Sequence, residues 1–263
     1  MLIIIIVATV ITVVIARIIW MLKHQDNTQS PVSQTQSPVS QTQSPVSQTQ
    51  DIQECPVSHG RESHMRTNTL RILALHGGGE SAQDFESSLS NLQSALGGNV
   101  TFVYASAPHN GRLWIRDPPG GKGEHTQDSN WASTSFTVLD DIVRNQGDFE
   151  AFDGIIGYSQ GSAMSYVYTS ANPNYFRFIV TFCGYLPTTH DGLMNCITSS
   201  SPLSIPSLFY YGTNDAIITG DMTRAAAAIF NNHTVVYDNG GHSPPTSGHA
   251  FNEVVSFINS FIA

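Results

Sequence analysis

One segment restricts the fold of this chain more than any other. Phe152-Asp153-Gly154-Ile155-Ile156 is a short, largely apolar run that passes straight into Gly157-Tyr158-Ser159-Gln160-Gly161, and helical spacing follows from Gln160 to Ser170. A strand that becomes a helix across two glycines and a serine needs a sharp, strained bend. Glycine on both sides leaves room where side chains would collide. The five-residue pattern alone could be a glycine-rich turn that happens to hold a serine. The strand before it and the helix after it make it a device that projects one hydroxyl from the carboxyl end of a strand.

The surrounding sequence repeats the same alternation. Runs rich in β-branched and aromatic residues predict strands at Leu70–Leu75, Val100–Ala105, Phe152–Tyr158, Phe176–Phe182, Ser207–Tyr211 and Thr234–Asp238. Helical spacing falls between them at Ala82–Leu96, Ser135–Asn145, Gln160–Ser170, Met222–Phe230 and His249–Ile262. Strands alternating with helices mean a mostly parallel sheet covered on both faces, a doubly wound α/β domain over residues 68–263. In such sheets ligands bind beyond the carboxyl ends of the strands. The residues just after each apolar run are therefore the candidates for chemistry.

Those positions hold a coherent set. Ser159 follows the third run, Asp215 follows the fifth in Gly212-Thr213-Asn214-Asp215, and His242 follows the sixth in Gly240-Gly241-His242. A hydroxyl is a poor nucleophile until a base takes its proton, an imidazole titrating near neutrality can do so, and a carboxylate can fix the imidazole tautomer. The chain order Ser, Asp, His is the one used by nucleophile elbows of the α/β-hydrolase type. Asp221, His233 and His249 are weaker rivals: the first sits too far past the strand end, the second begins a strand and the third opens the last helix. His76-Gly77-Gly78-Gly79 follows the first run, where a glycine loop can place a backbone donor opposite the one after the nucleophile. Gly78 and Gln160 are the expected oxyanion donors. A phosphate-cradling reading fails because both G-x-x-x-x-G-K-[ST] and G-x-G-x-x-G are absent. The long segment Ala107–Thr134, with Trp114 and Trp131, reads as a lid or acyl-pocket wall, or alternatively as a surface excursion whose tryptophans plug the core.

Outside this domain the composition changes abruptly. Leu2–Leu22 is apolar except for Thr9, Thr12 and Arg17, and as a helix it would measure about 31 Å, close to a bilayer's hydrocarbon thickness. Residues 1–23 are expected to be a single-pass transmembrane signal anchor, with a cleaved signal peptide as the rival. Arg17 and Lys23 on the following flank favour a cytoplasmic domain. Residues 24–67 hold TQSPVSQ three times in succession and cannot bury enough to fold, so a disordered tether is expected. A Ser-Pro phosphorylation array or an O-glycosylated stalk are the alternatives. Cys55, Cys183 and Cys196 give no disulfide framework and no metal-ligand spacing. The net charge of −9 argues against a nucleic-acid partner.

Together Ile72-Leu73-Ala74-Leu75-His76-Gly77, Phe152 to Gly161, Gly212 to Asp215 and Gly240-Gly241-His242 resemble the FSH family of serine hydrolases, the ovarian-cancer-gene-2-like group. The match runs from about Leu70 to Ala263, and Ala107-Pro108-His109 with Trp114 is also similar to it. The resemblance implies a cofactor-free, metal-free esterase or thioesterase acting on a small acyl ester or thioester, with Ser159, Asp215 and His242 as its triad. His109, Trp114 and Trp131 become the expected substrate-contacting residues. Gly78-Gly79 departs from the family, whose members usually carry bulkier residues there. A binding module that keeps the fold without catalysis, or a hydrolase of another bond, are the competing functions.

Overall fold

The structure, a computed structural model, describes residues 69–144 and 151–262. Its strands are β1 (Leu70–Leu75), β2 (Val100–Ala105), β3 (Gly154–Tyr158), β4 (Phe178–Phe182), β5 (Ser207–Gly212) and β6 (His233–Asp238). Its α-helices are α1 (Ala82–Ser88), α2 (Ser90–Leu96), α3 (Ser133–Arg144), α4 (Gln160–Ala171), α5 (Asp191–Ser200), α6 (Gly220–Ala227) and α7 (Gly248–Asn259). The strands form one sheet in the order β2-β1-β3-β4-β5-β6, and every pairing is parallel. Strand order reverses between β1 and β3, so the crevice opens between their carboxyl ends.

Alternation along the strands sends side chains to two cores. Leu73, Leu75, Ile155, Ile179 and Phe209 face α3, α4, α5 and α6, where they meet Leu139, Met164, Tyr166, Ile197 and Ala226. Leu70, Ile72, Ala74, Ile156, Phe178, Val180 and Leu208 face α1, α2 and α7, where they meet Phe85, Leu92, Val254 and Ile258. The central strands β3, β4 and β5 are buried at every residue, which is why they read as unbroken apolar runs. At the opposite end from the crevice, Asp153 accepts from Arg177 Nη1 and the Arg71 amide, both at 3.0 Å, tying the amino ends of β1, β3 and β4 together.

Several boundaries differ from the sequence reading for local reasons. The single helix expected over Ala82–Leu96 is two, α1 and α2, because Leu89 leaves helical geometry at φ −94°, ψ 5° while its buried side chain stays in the core. Helix α5 was not foreseen, although Leu193, Cys196 and Ile197 lie at helical spacing and are buried.

The membrane part of the fold and location reading is corrected. Among the described residues no helix is long and apolar enough to cross a membrane. The longest, α3, α4 and α7, have 12 residues each, about 18 Å against the roughly 30 Å of a hydrocarbon core. The anchor expected at 1–23 and the linker expected at 24–67 lie outside the described residues. What stands is the parallel-sheet α/β domain.

The crevice is built on close backbone contact. A Cβ on Gly161 would lie 2.2 Å from the Leu75 carbonyl oxygen and 2.6 Å from that of His76. Gly161→Ala is expected to lose about 1–3 kcal/mol or more in urea unfolding. Gly98→Ala, where a Cβ meets nothing within 4 Å, is expected to be neutral or slightly stabilising.

Candidate active site

Ser159 occupies the bend between β3 and α4 at φ 51°, ψ −116°, a region that side chains rarely adopt. The bend is held by the Ser159 amide donating to Phe182 O at 2.9 Å and by Ser162 N donating to Ser159 O at 3.0 Å. Gly157 is needed as well, since a Cβ there would come within 2.7 Å of the Gly161 and Ser162 backbone. The strain is therefore imposed by the packing on either side.

Three side chains expected from sequence come together here. Ser159 Oγ donates to His242 Nε2 at 3.0 Å, and His242 Nδ1–H donates to Asp215 Oδ2 at 2.7 Å. Asp215 Oδ1 also accepts from the amides of Ile217 and Ile218 at 2.8 and 2.9 Å. Burial alone would raise the Asp215 pKa. The hydrogen bonds from His242, Ile218 and Ile217 outweigh burial and hold the carboxylate below its ordinary value. The loops carrying Asp215 and His242 are pressed together at Gly212, where a Cβ would meet Gly240 O at 2.2 Å.

The glycine loop after β1 lies against the same bend. Gly79 N–H donates to Arg112 O at 3.1 Å, Glu80 N–H to Gly77 O at 3.1 Å, and Gly77 N–H to Glu80 Oε2 at 3.2 Å. The amides of Gly78 and Gln160 make no such bond among the described residues. The two residues are neighbours, for a Cβ on Gly78 would sit 3.4 Å from Gln160 Oε1. The Gln160 amide, one residue past Ser159, is therefore an unused donor at the bend.

The segment Ala107–Thr134 divides into parts with different roles. Trp114 is fully buried, its indole N–H donating to His76 O at 2.8 Å and its ring set 5.2 Å from the His76 ring. It is a core residue that no substrate can touch in this arrangement. Trp131 is half-buried, donates to Thr126 Oγ1 at 2.8 Å and carries the Arg116 guanidinium 4.4 Å above its ring. His109 sits in a short antiparallel bridge with Leu113, and its buried Nε2 has no hydrogen-bond partner among the described residues. Burial, followed by the nearby Arg116, lowers its pKa.

Three contributors escaped the sequence reading. The Gln160 side chain accepts from the Trp114 amide at 2.8 Å and donates to Ile115 O at 3.0 Å, clamping the long segment to the helix that starts at the serine. Tyr158, inside the glycine-serine motif, donates its hydroxyl to the His242 carbonyl at 2.7 Å. Cys183, at the carboxyl end of β4, packs beneath the His242 loop. Its place just past an apolar run was the available signal. Cys183, Asp215 and His242 are also the group among the described residues whose metal-ligand atoms converge, within 4.8 Å. Their protons are already committed, because His242 and Asp215 share a hydrogen bond and burial pushes the Cys183 thiol up to about 12. That favours a proton relay over a metal cage, which would need a thiolate.

The family model for the serine hydrolase family FSH1 matches residues 65–114 and 110–254. The chain belongs to the FSH1 serine hydrolase family. It is an enzyme, a serine hydrolase. Among relatives, the esterase OVCA2 of Xenopus tropicalis is 26% identical over 222 residues, covering 73% of this chain and 94% of the relative. The esterase CG5412 of Drosophila melanogaster is 27% identical, covering 74% of each. In fold, the acyl-protein thioesterase 2 of Zea mays aligns with a TM-score of 0.58 at 18% identity over 78% of this chain and all of that one. Esterase PE8 aligns at 0.56 with 19% identity over 74% of this chain and 93% of that one. These likenesses establish the α/β-hydrolase fold.

Two outcomes follow from this geometry. Trp114→Ala is expected to lower stability by about 3–5 kcal/mol in chemical unfolding, as a core deletion does. His76 is buried as the neutral tautomer, Nδ1–H donating to Gly77 O at 2.8 Å and Nε2 accepting from the Ala107 amide at 3.0 Å. Burial, against the Gly77 bond, lowers its pKa below 6.5. The unfolded chain then takes the proton first, so this stabilisation is complete above 6.5 and is lost as pH falls from there toward the folded-state value. Urea midpoints at about pH 7.5 and about pH 5.5 should show a steeper loss in wild type than in His76→Gln.

Proposed function

We propose that this serine hydrolase cleaves carboxylic esters or thioesters through an acyl-serine intermediate on Ser159. The observation that carries the reading is the continuous hydrogen-bonded line from Ser159 Oγ through His242 to Asp215, with the unused amide of Gln160 one residue past the serine. The names of the relatives, esterases in sequence and an acyl-protein thioesterase in fold, point the same way.

In this reading Ser159 Oγ attacks the acyl carbon while its proton passes to His242 Nε2. Asp215 holds the ring so that Nε2 is free to accept, and its charge stabilises the imidazolium that forms. The tetrahedral intermediate places its oxyanion between the Gly78 and Gln160 amides, each worth about 3 to 4 kcal/mol of transition-state stabilisation. Collapse passes the proton from His242 to the leaving alcohol or thiol. Water then enters, is deprotonated by the same imidazole and releases the carboxylic acid, regenerating Ser159. Because the donors are backbone amides fixed by glycine packing, little reorganisation is needed as charge develops.

A fluorophosphonate probe should label the wild-type chain covalently, and Ser159→Ala should abolish both the labelling and the hydrolysis of p-nitrophenyl acetate. Asp215→Asn should keep the fold but reduce kcat by about 10⁴-fold, since the amide favours the wrong imidazole tautomer. A Ser159→Ala protein that hydrolyses the ester at the wild-type rate would rule the reading out.

A further inference from the structure

Cys183 is the buried nucleophilic group that the proposed reaction leaves unused. It is fully buried at the first position after β4, where its φ of 49° is a conformation that favours glycine. Its amide donates to Tyr210 O at 2.8 Å and so continues the pairing of β4 with β5. Its Sγ lies 3.7 Å from Ser243 O and 3.9 Å from Gly241 O, the two carbonyls on either side of His242. The Asp215 carboxylate is a third acceptor within reach of the same thiol. The residue that follows is Gly184, where a Cβ would collide with the Tyr166 hydroxyl at 2.2 Å, so the backbone here is tightly held.

A small apolar filler would explain the burial but not an S–H set between the two carbonyls that flank His242. On the reading of Ser159, His242 and Asp215 given above, we propose that Cys183 is a positioning residue. Its single S–H, directed at the Gly241 and Ser243 carbonyls, anchors the Gly241–Ser243 loop and thereby fixes the His242 ring between carboxylate and serine. Tyr158, which donates to the carbonyl of His242 itself, braces the same loop from β3. Cys183 touches neither the serine nor an acyl group, so its effect acts wholly through the loop. It remains a protonated donor because burial, with Asp215 beside it, pushes the thiol up to about 12.

The test compares Cys183→Ser, Cys183→Ala and Cys183→Gly in the full chain, following p-nitrophenyl acetate hydrolysis and thermal unfolding in parallel. Serine keeps a donor at the same place and should hold kcat within about twofold of wild type. Alanine removes the donor and should lower kcat by about tenfold with KM unchanged, the pattern of a loss felt in the transition state. Glycine relieves the positive φ and provides a folded variant if alanine is unstable; it should lose kcat like alanine. Wild-type kcat in a folded Ala or Gly variant, or a Ser variant as slow as the Ala variant, would overturn the positioning role. Ser159→Ala, assayed alongside, separates the two ideas. If it abolishes hydrolysis while the Cys183 variants are all unimpaired, the acyl-serine reading stands and only the role of Cys183 falls.

Discussion

Everything at the crevice depends on one steric condition: the start of α4 must lie directly on the carbonyls that end β1. Gly161 permits a contact that any side chain would forbid, with Leu75 and His76 oxygens inside what would be its Cβ radius. Because the helix can come so close, Ser159 is driven into its strained bend and the Gln160 amide is brought beside Gly78. The same contact seats the Trp114 indole on His76 O and lets the Gln160 side chain reach Trp114 and Ile115. A backbone packing decision thus sets the positions of a hydroxyl, two amide donors and a wall.

The polar groups of the site are organised in a way that apolar packing alone could not achieve. Asp215 is buried, which disfavours its charge, and it is rescued by a ring N–H and two backbone amides from its own loop. The imidazole is held at both nitrogens, and the loop behind it receives donors from Tyr158 and Cys183. Asp215 and the His242 carbonyl each take a donor from a different strand end, so the loops are cross-linked to one another across the crevice. Such a network is worth most when complete, because a half-satisfied buried carboxylate is costly.

The sequence made the sheet legible because β1 and β3 to β5 are buried at nearly every residue and therefore stand out as apolar runs flanked by turn residues. Ser159, Asp215 and His242 were legible as the residues just past those runs, in an order chemistry can use. What the sequence could not show was orientation. Trp114 and Trp131 read alike as wall residues, yet one is a fully buried strut and the other a half-buried platform for Arg116. The break at Leu89 carries no glycine or proline to signal it, and the helix Asp191–Ser200 is too polar on its outer face to announce itself. Tyr158 and Cys183 do not stand out as contributors in the sequence, because their partners are backbone carbonyls more than fifty positions away along the chain; the place of Cys183 just past an apolar run is the one signal. The apolar segment Leu2–Leu22 lies outside the described residues, and no helix among the described residues is long and apolar enough to cross a membrane.

The groups that converge on the crevice are drawn from the ends of β1, β3, β5 and β6, from Gly78 near the beginning of the described chain to His242 close to its end. The serine hydroxyl meets the imidazole 83 positions away, across strands that pair in the middle of the sheet. No contiguous part of the domain, and no partly assembled sheet, contains an imidazole, a carboxylate and the paired amides together. On the proposed acyl-serine reading, hydrolysis is an all-or-none property of the finished sheet, so a partly made or partly unfolded chain is chemically silent.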